Sequence, residues 1–513
     1  MKKVLCVAVV FMLAGIGFAK VNAEESEYLI KTEPCEYQET LAEIGNPGFY
    51  KGEISFEELE KDLNNLKYIL ETCYAGYEAA VEKGLDTAVM VTNVLKQFEG
   101  KTPVYTRDVG KAIYNELKGK IVDTHFNIAL GNFVNQCLFF ANHEQVYFSD
   151  LYVDESEKEN FLIENPEVKL FPYYRENKLT NRAGIFSETD VEKIEVKING
   201  KKQTLLLSKY KVDTPSEMPL IKEKQTAQTA YVRFESFMPR DFKASYINIE
   251  KFKDVANKNK DKSNIIIDLR SNGGGMTDIV LESLRNFVFD KNLISKKNEN
   301  AVFKALQNKN LEITSGSYQI VSPGVINQQV VMLDMIKNNN SKKDKDYKEI
   351  CIEYKKKLKC LEMLKNNPKK EYYDSYGFWW GKDYKKVKAV PFPNEPAYKG
   401  RLFILTDRNS ASASELYCFI AKKYLGKNAI IIGENTMGCI EYGNVYYYTL
   451  PNSRLSFHVS AATYGPALNT FSNWHGEGKG IYPDIWATDE DMLETIIAVT
   501  GDEGLREILK GMQ

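Results

Sequence analysis

Histidine is scarce in this 513-residue sequence: only His125, His143, His458 and His475 occur, so a base working near neutral pH has few candidates. An excess of positive charge is missing as well. Lys and Arg number 68 against 70 Asp and Glu, a net charge of −2, which argues against general nucleic-acid binding. Long apolar runs are absent after the first residues. The run from Val4 to Phe18 is short for a spanning helix, and no second run of about 18 apolar residues follows. The eight cysteines are widely spaced and form neither a disulfide scaffold nor a zinc knuckle. Cys351 and Cys360, nine positions apart, face opposite sides of one helix and are not expected to pair. No internal repeat is evident, and no metal or organic cofactor is implied.

What is present begins with an export signal. Lys2 and Lys3 precede the apolar run, and Val21-Asn22-Ala23 supplies a small-residue cleavage pattern before Glu24-Glu25. Residues 1–23 are expected to be removed, leaving an exported protein, periplasmic or extracellular. Cys6 lies too early to carry a lipid. Without Lys2, Lys3 and Lys20 the chain has 65 basic and 70 acidic residues, a net charge of −5, and seven cysteines, an odd number that leaves at least one free thiol.

Three regions follow from the pattern of the rest. Residues 24–122 read as an N-terminal helical cap: Ser55 with Glu58 makes a capping box, and Leu59, Leu63, Leu66 and Leu70 recur at helical spacing. Residues 123–224 hold Asp123-Thr124-His125 and then a small β-rich module around the Asn199-Gly200 turn. Residues 225–513 read as an α/β domain interrupted by a Lys- and Asn-rich insertion at about 295–399. In that insertion a long helix is expected across Lys342–Lys365, and Phe378-Trp379-Trp380-Gly381 could line a groove or simply fill the insertion's own core.

The α/β domain carries the chemistry. A buried strand Ile265–Arg270 ends in Ser271-Asn272-Gly273-Gly274-Gly275, where three glycines allow close backbone approach with exposed N–H groups, or merely a tight turn. A second strand, Leu402–Thr406, leads into Ser410-Ala411-Ser412-Ala413-Ser414 and a helix, then the strand Ala429–Ile432. Ligands of such β-loop-α-β units bind beyond the carboxyl ends of the strands. A serine at a helix N-terminus sits where free N–H groups stabilise negative charge, although serines there also serve as plain caps. Serine nucleophiles need a base, an orienting carboxylate and oxyanion donors. His125, Ser412, Glu477 and the Gly273–Gly275 loop could supply them. Glu477 could also be a loop residue only, Asp123 could orient His125 in its place, and His475 is a weaker base.

The ordered stretches IIIDLRSNGGG, YKGRLFILTDRNSASASE, IIGENTMG and EGKGIYPD resemble the catalytic domain of the tail-specific, or C-terminal-processing, serine peptidase family. EELEKDLNNLKYILETCYAGY and YVRFESF resemble further parts of it. The resemblance implies a crotonase-like ββα-type catalytic domain, with the β module standing where relatives carry a PDZ domain, here either a degenerate PDZ domain or a different module. It also implies a peptide or protein substrate. Where one branch of the family places a catalytic lysine, this chain has Cys439, and Lys422, Lys423 and Lys427 are poor substitutes. The sequence is more similar to the tricorn-core branch with its Ser-His-Glu arrangement. On that resemblance Ser412 is the nucleophile, His125 the base, Glu477 its orienting acid and Thr124 the neighbouring hydroxyl, a serine in that branch. Ala413 and Gly274, with Gly273 as the adjacent choice, would form the oxyanion hole. The competing expectation is a catalytically silent protein that keeps the fold to bind peptides or apolar ligands.

Overall fold

The computed structural model describes residues 51–129, 137–139, 143–176, 178–209, 221–238, 242–294, 298–339, 347–366, 371–374 and 387–510. The export signal, the cap before residue 51 and Phe378-Trp379-Trp380-Gly381 lie outside the described residues. The architecture is mixed α/β and divides into two compact units, each built from separated stretches of chain.

The first unit takes its described residues from the chain up to 139, from 303–388 and from 441–470. Its helix Phe56–Cys73 starts at the expected capping box: Ser55 Oγ accepts the Glu58 N–H at 3.2 Å, and Glu58 Oε2 accepts the Ser55 N–H at 2.8 Å. Leu59, Leu63, Leu66 and Leu70 are all buried, as their spacing requires. Two more helices, Thr87–Phe98 and Thr106–Leu117, share a core with an antiparallel sheet. In that sheet Ser456–Thr463 pairs with Tyr442–Thr449, Asn127–Ala129 and Tyr318–Val321.

The Lys- and Asn-rich segment therefore does not behave as an appendage of the α/β domain. Its strand Tyr318–Val321 adds to this sheet, and its helices Pro323–Asn339 and Tyr347–Asn366 pack together through Val321, Ile326, Val330, Cys360 and Leu361. A polar composition conceals a narrow apolar stripe. Cys351 and Cys360 both lie on that second helix, and neither forms a disulfide.

The second unit is organised on a ten-stranded sheet. Its centre is parallel: Thr229–Phe234, Asn264–Asp268, Arg401–Thr406, Ala429–Gly433 and Ile485–Trp486 run side by side, with Val232, Ile267, Ile404 and Ile431 in register. These strands are continuous apolar runs because both faces are covered. One face carries Tyr231, Ile266, Phe403 and Leu405 against Met492, Ile496 and Leu505 of the last helices. Strands Gln145–Val153, Lys169–Arg175 and Lys178–Ser187, expected in a separate β module, belong to this same sheet: Tyr173 pairs in parallel with Trp486. Phe148, Phe171, Tyr173 and Trp486 form the joint. The hairpin Lys193–Ile198/Lys201–Leu206 forms a sheet of its own, and its Asn199-Gly200 turn has φ of 54° and 73°, as a two-residue hairpin turn demands.

Candidate active site

Three loops leave the carboxyl ends of neighbouring parallel strands in the second unit. One follows Asp268 and carries the glycines, one follows Thr406 and carries the serines, and one follows Gly433 and runs through Glu434–Cys439. All three are held by buried polar groups.

The three serines differ sharply. Ser410 is buried and its Oγ donates to Leu269 O at 2.8 Å; Ser414 is buried and its Oγ donates to Asn272 O at 2.7 Å. Both stitch the serine loop to the glycine loop. Ser412, between them, is half-buried and stands at the N-terminus of the helix Ala413–Leu425 with φ 53° and ψ −111°. Such a backbone is unusual for a residue with a Cβ and costs on the order of 1–3 kcal/mol. The surroundings must hold it there.

Part of that hold is Gly274. At φ +92°, a Cβ on it would lie 2.6 Å from Ala411 O, 2.7 Å from Ser412 Cβ and 2.8 Å from Ala413 N. Only glycine can approach this closely. The Gly274 N–H donates to Asn272 Oδ1 at 3.0 Å, whereas neither the Gly273 N–H nor the Ala413 N–H finds a partner among the described residues. Asp407 ties the same loops together. Its buried carboxylate accepts the Ser271 N–H at 2.9 Å and the Asn409 N–H at 2.9 Å, and burial raises its pKa against those donors.

Glu415 plays the matching part on the other side. Fully buried, it accepts from Ser412 N–H at 2.9 Å, Thr436 Oγ1 at 2.5 Å, Gly438 N–H at 2.9 Å and Cys439 N–H at 2.7 Å. Gly438 in turn lies against the loop that carries Glu477: the Gly478 N–H donates to Gly438 O at 2.8 Å, and a Cβ on Gly438 would be 2.5 Å from Gly478 N. Glu477 itself is half-buried. The segment before Gln145 braces these loops. His143 donates from Nδ1 to Met437 O at 3.1 Å, the Glu144 N–H donates to Gly478 O at 3.0 Å, and Glu144 pairs with Lys479 at 3.2 Å. Burial lowers the His143 pKa, against the hydrogen bond to Met437 O. His475 is stacked on Tyr482 with ring centroids 3.5 Å apart.

His125 and Thr124 belong to the first unit, in the turn before the strand Asn127–Ala129, and both are half-buried. Asp123, fully buried, accepts the His125 N–H on Oδ1 at 2.8 Å, and the same oxygen lies 3.6 Å from His125 Nδ1. Asn127 Nδ2 donates to His458 Nδ1 at 2.9 Å, so His458 carries its own proton on Nε2. Burial, then the nearby His125, pushes the His458 pKa down to about 4, and it stays neutral at ordinary pH.

Ser412, Ala413, Gly273 and Gly274 are thus brought together within one unit, joined to the Glu477 loop through Glu415. Lys422 is engaged with Asp484, both carboxylate oxygens at 2.9 Å, and Cys439 is buried. Asp407, Glu415 and Glu144 are absent from the residues singled out in the sequence. Glu415 had a legible signal, the Ser-x-x-Glu spacing of a capping box; the other two depend on contacts between distant segments.

Comparison with known proteins adds a family. No curated protein matches the chain in sequence. Among solved structures, mature CPAF is similar at 14% identity over 88% of this chain and 96% of its own, with a TM-score of 0.41. The photosystem II D1 C-terminal processing protease is similar at 13% identity over 88% and 99%, with a TM-score of 0.36. A lipoprotein from Streptococcus agalactiae shows 10% identity over 85% and 94%, also at 0.36. At such TM-scores these likenesses carry no argument for function. The sequence model of peptidase family S41 matches residues 228–487, just over half of the chain, and spans the glycine loop, the serine loop and the Glu477 loop. The chain belongs to peptidase family S41 and is a serine-type peptidase.

Proposed function

We propose that this peptidase cleaves peptide or protein substrates through an acyl-enzyme on Ser412, with His125 as general base and Glu477 as the carboxylate that orients it. His125 takes the Ser412 proton as Oγ attacks the scissile carbonyl, returns it to the leaving amine, and then activates the water that releases the acyl group. The Ala413 N–H, at the start of its helix, is one oxyanion donor; the Gly273 N–H, open in this conformation, is the second, and Gly274 lets the two loops close on each other. Thr124 stands beside the base as the neighbouring hydroxyl. The observation that carries the reading is the strained Ser412 at a helix N-terminus against a glycine that tolerates no side chain.

Cys439 at the position of the dyad lysine, and Lys422 engaged by Asp484, favour the Ser-His-Glu branch over the Ser-Lys branch. On this reading the parallel-centred unit is a crotonase-like ββα-type domain, and strands 145–187, being part of its sheet, weigh against a separate degenerate PDZ domain. The N-terminal signal pattern supports export to the periplasm or beyond the cell.

Hydrolysis of unfolded casein and of a fluorogenic peptide library by the purified mature protein tests the proposal. Ser412→Ala and His125→Ala should each lower kcat/KM by at least about a thousandfold. A folded wild type that binds peptides but cleaves none would establish the silent-binder alternative instead.

A further inference from the structure

The fully buried carboxylate of Glu415 lies outside the Ser-His-Glu set, yet it joins two of the site's loops. Oε2 receives the N–H groups of Ser412 and Cys439, at 2.9 and 2.7 Å; Oε1 receives Thr436 Oγ1 and the Gly438 N–H, at 2.5 and 2.9 Å. Three of the four partners are backbone donors that cannot accept. The fourth, the Thr436 hydroxyl, already accepts the Ile481 N–H at 2.7 Å. A protonated or amide side chain would set a donor against donors on Oε2, so the site is shaped for an anion.

We infer that Glu415 is a positioning residue of the peptidase reaction: as a buried anion it holds the Ser412 backbone in its strained conformation and ties it to the loop bearing Glu477. The link is continuous. Ser412 N–H and Cys439 N–H meet on one oxygen atom, Gly438 is held by the other, and Gly438 O accepts the Gly478 N–H next to Glu477. The Thr436 hydroxyl makes a second connection, through Ile481, to the far end of the same loop. Holding φ of +53° at Ser412 requires an interaction on its own amide, and Glu415 supplies it. The helix N-terminus favours a negative charge at this third position as well.

The inference rests on Ser412 being the nucleophile, and its test separates the two. A fluorophosphonate probe is reacted with wild type, Ser412→Ala, Glu415→Gln and Glu415→Asp, and the maximal labelling rate is resolved from the probe's apparent affinity. Labelling of wild type at Ser412 that vanishes in Ser412→Ala upholds the nucleophile. Given that, Glu415→Gln should retain a cooperative melt and the probe affinity while its maximal rate falls by about a hundredfold, the scale of a misplaced reacting group; Glu415→Asp, which keeps the charge on a shorter arm, should recover part of the loss. If a Glu415 variant does not fold, Thr436→Val, which removes one donor from Oε1, reads the same parameter and should lower the rate with affinity unchanged. A folded Glu415→Gln or Thr436→Val protein labelled at the wild-type rate overturns the positioning role. Wild type unlabelled at Ser412 overturns the nucleophile and the inference together.

Discussion

A serine becomes a nucleophile through what surrounds it, since its hydroxyl is inert at its ordinary pKa. In this chain three serines sit within five positions, and their hydrogen bonds tell them apart: Ser410 and Ser414 donate to carbonyls of the glycine loop, while Ser412 has the unusual backbone and the open Ala413 N–H beside it. Gly274 is the residue on which this arrangement is most exposed to change. In Gly274→Ala the new methyl would meet Ala411 O at 2.6 Å and the Ser412 Cβ at 2.7 Å, in a backbone conformation that alanine avoids. The loops must part. Labelling of Ser412 is expected to slow by about a hundredfold or more, since the proposed oxyanion donor and the proposed nucleophile would move together, and a probe-kinetics series on the folded variant checks it. The importance of the glycines was legible as a strand followed by Gly-Gly-Gly. That the Gly274 N–H would be taken by Asn272 Oδ1 was not, because an Asx contact depends on side-chain placement rather than pattern.

Among the elements, those with local causes match their sequence signals. The capping box of Ser55 and Glu58, the Asn199-Gly200 hairpin and the apolar parallel strands are each fixed within a few residues. Elements whose partners are far away in the chain leave weaker signals in the sequence. Residues 145–187 look like a module of their own until Tyr173 pairs with Trp486, more than three hundred residues later. The helix Tyr347–Asn366 carries the basic run Lys355-Lys356-Lys357, yet Lys357 is 1% exposed. Burial drives the Lys357 pKa down to about 7 from its usual 10.5. The sign follows: the unfolded chain takes up this proton as pH falls below about 10.5, the folded protein only near 7, so stability drops across that interval and levels off below it. Lys357→Met should therefore melt several degrees above wild type at pH 7, with the gap closing toward pH 10.5. Thermal melts of both proteins across that range check it, and a constant or inverted gap would refute the assignment.

At the scale of the whole molecule, the residues proposed for catalysis come from stretches scattered along the chain: His125 belongs to one compact unit, Ser412 and Glu477 to the other. Each is singled out in the sequence by the motif around it. The Lys- and Asn-rich segment was misleading at this scale, since composition set it apart whereas Tyr318–Val321 and Ile326 build it into the first unit. The central claim is that Ser412 is the activated nucleophile. It is tested most directly by treating the mature protein with a fluorophosphonate and locating the adduct by peptide mass spectrometry. The account predicts one adduct per chain, on Ser412, lost in His125→Ala; an adduct on another residue, or none on a folded protein, would contradict it.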